Sequence, residues 1–325
     1  MQTNFLANTL RHNRPLFRLI KRLLNGGTKI LQKTMPGIYC RIAIMQNGFN
    51  ETKIDKQICS FNGVGIDVSQ SSPELIVSLT SFPPRMEKLH YTLFSLLNQT
   101  KKPHRIILWL GEEQFPNKEY DVPEKVLVLL KCGVSIEWCK DIRSYKKLVP
   151  AYRKYPDAVI VTADDDLYYA KNWLELLYNS YLTDTTVIHC IGGLRVRYTS
   201  EGIRPHSEWD FCPNLEPSYT TFGQGGRGVL YPPHSLYKDI DNVALFTRLV
   251  PTDDDMWFWA MAVLNGTKIK TVQSPLRNVL TNIKKELDPN YSDSLHYSNH
   301  YLGQTPIQLA NIINQYPLLT KRILE

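Results

Sequence analysis

Two runs of three aspartates are the groups best suited to chemistry in this chain: Asp164-Asp165-Asp166 in "VTADDDLYY" and Asp253-Asp254-Asp255 in "PTDDDMWFWAMAVLNG". Adjacent carboxylates repel one another, so each run costs stability unless solvent, helix-start amides or a cation compensates. Helix capping or hydration accounts for one aspartate of a run, since Asp is a favoured N-cap and an ordinary solvated loop residue. Three in succession predict a ligand. Hard divalent cations such as magnesium or manganese take carboxylate oxygens and share their shell with phosphates, so a metal-bound diphosphate is the simplest partner for the first run. A calcium loop counted from Asp164 fails, because Tyr168 and Tyr169 stand where a third ligand and the turning glycine belong. No GxxxxGK[ST] loop is present to cradle a nucleotide triphosphate.

The surrounding pattern predicts an α/β domain that holds the first run at the edge of a sheet. Apolar, β-branched stretches at 75–80, 105–110, 134–138 and 158–163 read as strands. Segments 86–98, 122–131, 144–156 and 171–182 read as the helices between and after them. Strands alternating with helices imply a mostly parallel sheet flanked by helices, and ligands of such sheets bind beyond the carboxyl ends of the strands. Asp164 to Asp166 directly follow the fourth strand. The second run opens a helix whose Met256, Trp257, Trp259, Ala260 and Val263 form a buried face, with Asp253 the natural cap. Between the runs, "FGQGGRGVLYPP" offers glycines that let backbone approach a ligand or simply turn a hairpin, and Arg227 there meets either phosphate or water.

Charge narrows the partners. The formal net charge is +7, but residues 1–50 hold eight Lys or Arg and no acid, so subtracting those eight leaves the remainder at −1. A basic face that tracks phosphate backbones across the fold is not supported, and no nucleic-acid motif accompanies the charge. Residues 1–45 carry a basic amphipathic helix, "RPLFRLIKRLL", too short and too charged to span a bilayer. It either lies on an anionic membrane surface or packs on the body. Residues 46–73 read as a linker, 74–275 as the catalytic domain and 276–325 as a C-terminal helical extension that folds over the site or meets a partner. The six cysteines show no zinc spacing and read as reduced core residues. With no secretory signal, they predict a cytoplasmic protein, peripheral on the inner face of the cell membrane if the front helix docks there.

Four stretches in order, "VSLTSFPPR", "SLLNQTKKPHRIILWL", "VTADDDLYY" and "PTDDDMWFWAMAVLNG", covering roughly 74–275, resemble nucleotide-sugar glycosyltransferases of the GT-A fold. They look in particular like the family-2-like enzymes of bacterial capsule and lipopolysaccharide assembly. The resemblance implies that Thr80, Ser81, Phe82 and Arg85 hold nucleotide, together with Asp141, Lys146, Asp164 and Asp165. Asp166 is then the direct ligand of a manganese or magnesium ion, with Asp164 beside it and His296 or His300 as a late ligand. Asp254 and Asp255 become the acidic pair that contains the catalytic base, Asp255 being the base. Gly225, Gly226, Arg227 and Trp257 wall the sugar and acceptor site. One departure is visible: the acidic pair that many relatives carry at the end of the second strand is replaced by Leu108-Trp109-Leu110-Gly111, with Glu112 and Glu113 only afterwards. Arg143, Lys146 and Lys147 read otherwise as a solvated helix face, and Trp209 as a core residue or a sugar-stacking one.

The implied reaction moves a sugar, with inversion, from a nucleoside diphosphate, uridine-linked, to a hydroxyl of a glycan or lipid-linked saccharide. A covalent glycosyl-enzyme route is disfavoured, because the two acidic runs suit metal and base separately. Two rivals remain at this level: a metal-dependent nucleotidyltransferase on a similar sheet, and a non-catalytic carbohydrate-binding or scaffold protein of the same fold.

Overall fold

A computed structural model describes residues 49–69, 72–211, 215–272, 281–282, 295, 299 and 302–324. The basic front helix, Cys40, Cys212, His296 and His300 lie outside the described residues. Seven strands build the central sheet: β1 (Leu75–Thr80), β2 (Arg105–Gly111), β3 (Val134–Cys139), β4 (Val159–Ala163), β5 (Ile188–Cys190), β9 (Val229–Tyr231) and β10 (Ile269–Thr271). A three-stranded antiparallel sheet is made of β6 (Gly193–Arg195), β7 (Asp210–Phe211) and β8 (Thr221–Gly223). The central order is β10-β5-β9-β4-β1-β2-β3, and β9 runs antiparallel to both of its neighbours while the other pairs are parallel. The expected α/β architecture with a mostly parallel sheet flanked by helices is therefore the one observed.

The apolar runs form strands because both faces of the sheet are covered. Alternate residues enter two cores, Ile76, Ile107 and Ile160 on one face and Val77, Leu108 and Val161 on the other. The helices doing the covering include α2 (Met86–Leu97), α4 (Trp173–Thr183) and α6 (Asp254–Asn265), preceded in the chain by α1 (Glu51–Cys59), α3 (Val149–Lys154) and α5 (Val243–Leu249) at their places. After β1 the chain runs outward through β2 and β3, then returns to lay β4 on the other side of β1. The carboxyl ends of β1 and β4 thus flank the point where strand order reverses, the place where α/β sheets bind ligands.

Three expectations change. The stretch read as a linker contains α1, capped by Asn50 accepting from the Lys53 amide at 2.9 Å, with Ile54 buried in the core. Most of its residues are polar and Ile54 is the one it buries, which is why its sequence reads as a linker. Residues 122–131 form only the short turn Glu124–Leu127 and a tighter one at Leu130–Cys132. Residues 144–156 split into the 3-10 turn Arg143–Lys147 and α3, with Pro150 in the first turn of the latter where its missing amide costs nothing. At the C-terminal end, α7 (Gln304–Gln315) and α8 (Pro317–Leu324) place Leu309, Ile312, Leu319 and Ile323 in the core that α6 shares. Cys132 and Cys190 are buried as expected, whereas Cys59 is exposed.

Candidate active site

The first aspartate run sits at the reversal point and is tied across it. Asp165, the middle carboxylate, accepts from Ser81 Oγ at 2.6 Å and from Arg85 Nη1 at 2.5 Å, while Thr92 Oγ1 donates to its carbonyl at 2.9 Å. Its side chain is 5% exposed, so its charge belongs to the packing of β1 against β4. Asp166 keeps 21% of its side chain exposed and lies 3.4 Å from Arg85 Nη1. Burial opposes the charge on Arg85, but Asp165, Asp166 and Asp164 outweigh it and raise its pKa above the ordinary value. Arg85 also stands over the exposed Phe82 ring at 5.5 Å, and its buried Nε finds no acceptor among the described residues. Thr80 turns away, donating to Trp109 O at 2.8 Å.

The second run faces the first. Asp253 is the cap of α6: its Oδ1 accepts from the Met256 amide at 3.1 Å, and Thr305 Oγ1 of α7 donates to Oδ2 at 3.3 Å. Burial raises the Asp253 carboxyl to about 6. Asp254 and Asp255 point to one ammonium, that of Lys147, whose Nζ lies 2.8 Å from Asp254 Oδ2, 3.4 Å from Asp255 Oδ1 and 3.2 Å from Asp164 Oδ1. The Asp254 contact is an ion pair. Burial acts against the Lys147 charge, yet the three carboxylates prevail and its pKa is well above the ordinary value. Burial also dominates at Asp255 and, with the repulsion of Asp254 and Asp164, lifts its carboxyl to about 7 against the pull of Lys147.

The glycine loop closes the cluster. Gly225 N donates to Asp255 Oδ2 at 2.8 Å, and Tyr169 OH joins the two sides by accepting from the Asp164 amide at 2.8 Å and donating to Gly226 O at 3.3 Å. A Cβ on Gly225 would lie 2.2 Å from Asp255 Oδ1 and 2.8 Å from Lys147 Nζ, and one on Gly226 2.7 Å from Asp164 Oδ2. The loop is therefore a wall of the acid cluster. Gly225→Ala is expected to displace Asp255 and cut turnover by about 100-fold, as misplacements near 1 Å do, with the circular dichroism spectrum of the folded protein retained. Steady-state rates on the purified variant check it.

Several residues read from sequence lie elsewhere than expected. Trp257 is fully buried, its indole donating to Ile240 O at 3.3 Å, so it backs the cluster from the core and cannot line an acceptor site. Trp209 is likewise core, packed against Phe222 and Trp259 with its indole bound to Arg204 O, which removes the sugar-stacking alternative. Lys146 and Lys147 are buried, not solvated; the solvated reading fits Arg143, which is exposed and donates to Pro251 O. Lys146 is spent on Asp141 and Gln114. The Asp141 amide donates to Glu113 Oε2 at 2.8 Å, so of the displaced acids after β2 Glu113 serves this turn, while Glu112 pairs with Lys118 at 2.6 Å. Arg227 lies across Gly192 with its guanidinium 5.6 Å from the Phe211 ring centre. Lys147 is the residue of the cluster that the sequence reading assigned to a solvated face, and no local signal marks it as buried.

Among the described residues no three His, Cys, Asp or Glu side chains form a metal cage, since Lys147 and Arg85 stand among the acids. Asp164 and Asp166 offer hard oxygens from two carboxylates. That donor set fits a magnesium-class ion, which completes its shell with water and phosphate oxygens. A surface depression of about 450 Å³ beside Pro83 and Met86 is lined by Glu87, Asp121 and Glu124. Lys125 also lines it, and none of the aspartates of the two runs does.

No family model and no curated protein matches the chain. Among solved structures it is similar to S. aureus TarS 1-349, at 13% identity over 75% of this chain and 71% of that one, with a TM-score of 0.41. It is also similar to the UTP-bound UGPase of Acinetobacter baumannii, at 11% identity over 75% of this chain and 98% of that one, TM-score 0.37. The complex of S. aureus TarS 1-349 with UDP-GlcNAc matches at 13% identity over 66% and 60% of the two chains, TM-score 0.40. Likeness of that degree carries no argument about activity.

Proposed function

We propose that the chain is a GT-A glycosyltransferase that moves a sugar from a nucleoside-diphosphate sugar to an acceptor hydroxyl with inversion. The observation that carries this reading is the meeting of the two aspartate runs at one buried ammonium, at the carboxyl ends of β1 and β4. The donor is uridine-linked and the acceptor a surface glycan or lipid-linked saccharide, as the resemblance of the four stretches implies. Capsule or lipopolysaccharide assembly at the inner face of the cell membrane belongs to the same proposal. The front helix proposed to dock there lies outside the described residues, and no described helix is long and apolar enough to cross a membrane.

Asp255 takes the proton of the acceptor hydroxyl as its oxygen bonds to the anomeric carbon and the bond from that carbon to the diphosphate breaks. A carboxylate suits this, because the hydroxyl becomes acidic only as that bond forms. Arg85, anchored by Asp165 and with part of its side chain still exposed, would turn its guanidinium to a phosphate oxygen of the donor. Asp164 and Asp166 would hold a manganese or magnesium ion, which when bound neutralises charge on the departing diphosphate.

The test is to incubate the purified chain with a panel of nucleotide sugars, with and without manganese, and to identify the released product. Free nucleoside diphosphate, stimulated by metal, is expected. Release of pyrophosphate from nucleoside triphosphate and sugar phosphate would instead make it a nucleotidyltransferase, and carbohydrate binding without any nucleotide-sugar turnover would make it a binding protein.

A further inference from the structure

Among the described residues, Lys147 is the cation that reaches both aspartate runs. Its backbone is held from two sides. Tyr145 OH donates to Val250 O at 2.5 Å and its ring stacks on Phe246 at 4.0 Å, which pins the 143–147 turn to the segment leading into the second run. Lys146, the next residue, is anchored the other way by Asp141 and Gln114. The ammonium therefore arrives at a fixed point, with its side chain only 6% exposed and the backbone of Gly225 closing on it. Three carboxylates surround one positive charge, and without that charge they would repel one another in a partly buried site, Asp254 9%, Asp255 24% and Asp164 33% exposed.

We propose that Lys147 is a positioning residue that sets the separation of Asp164 from Asp255, and so couples the donor side of the site to the acceptor side. This rests on the reading of Asp255 as base. Lys147 does not touch substrate in this role; it acts through the two acids. A merely structural ion pair would lower stability and leave the chemistry of the folded fraction intact. A positioning residue lowers turnover in the folded fraction while the donor still binds.

Lys147→Met and Lys147→Arg separate these. With Lys147→Met, kcat for transfer is expected to fall about 100-fold with donor KM within about threefold of wild type, and Lys147→Arg to recover about tenfold of the loss. A kcat within threefold of wild type for folded Lys147→Met, or a loss carried entirely by donor KM, overturns the proposal. If Lys147→Met does not fold, removing one of the stranded anions in Lys147→Met/Asp254→Asn is expected to restore folding, and failure to do so also overturns it. A second measurement needs no substrate. Asp164→Asn and Asp255→Asn should each change the melting temperature more favourably, by several degrees, in the Lys147→Met background than in wild type, because each carboxylate then faces only other anions. Equal effects in the two backgrounds refute the link through Lys147 whatever the enzyme does. Unequal effects in a protein that turns over no nucleotide sugar keep the link and remove the proposed reaction.

Discussion

Asp255→Asn is expected to lower kcat for sugar transfer by about 1,000-fold while the nucleotide-sugar dissociation constant stays within about twofold of wild type. Asparagine keeps the shape and still accepts the 2.8 Å bond from the Gly225 amide, so the loop and the cluster persist; what disappears is the ability to take a proton. In the proposed reading the donor binds at the β1 and β4 ends, which Asp255 reaches only through Lys147. Equilibrium binding together with single-turnover rates measures both quantities, and turnover within about tenfold of wild type would remove Asp255 from the role of base.

The same residue governs the pH response. Burial lifts the Asp255 carboxyl to about 7, so the fraction able to act as base grows as pH rises, and kcat/KM is expected to climb and level off above about pH 7. Stability moves the other way. The folded protein retains on Asp255 a proton that an unfolded chain loses near the ordinary value of 3.8, so between those values the folded state binds more protons. This group is therefore neutral for folding in acid and becomes unfavourable as pH rises toward 7. Asp255→Asn removes that term, so its melting temperature relative to wild type is expected to rise with pH across this window, as a calorimetric pH series would record.

Asp165→Ala is expected to destabilise the fold by about 3 kcal/mol, the cost of taking the nearest carboxylate from a largely buried guanidinium. Arg85 would lose its 2.5 Å partner and Ser81 its 2.6 Å acceptor, and the strand ends on either side of the reversal point would no longer be tied. Asp166→Ala, which removes a carboxylate that is 21% exposed against 5% for Asp165 and lies 3.4 Å from Arg85, is expected to change stability by less than about 1 kcal/mol and to weaken donor and manganese binding instead. Denaturant unfolding and calorimetric titration of the pair decide the matter. The opposite pattern, with Asp165→Ala stable but unable to bind donor, would make the middle aspartate the nucleotide contact that the motif resemblance implies.

Much of the frame was legible in advance because its signals are local. A strand buried on both faces must be apolar throughout, which marks 75–80, 105–110 and 158–163 whatever their partners are. An aspartate directly before a buried helix is a cap, and Asp253 is one. The strand order and the lone antiparallel β9 were not legible, since the pairing of β9 with β4 joins segments about seventy residues apart and three buried residues give no period to read.

The amino-acid sequence by itself determined that carboxylates stand at the end of β4 and at the start of α6, because their neighbours dictate those elements. Only the tertiary structure decided which of them remain open. Asp165 is consumed by Ser81 and Arg85, and Trp257 and Trp209 are sunk in the core. The "SYKK" segment, by its composition a solvated face, instead sends Lys147 inward to acids 17 and 108 positions away. The physical reason is that hydrophobic burial follows a periodicity written along the chain, whereas the compensation of a buried charge depends on which distant charges the fold brings within a few ångströms of it.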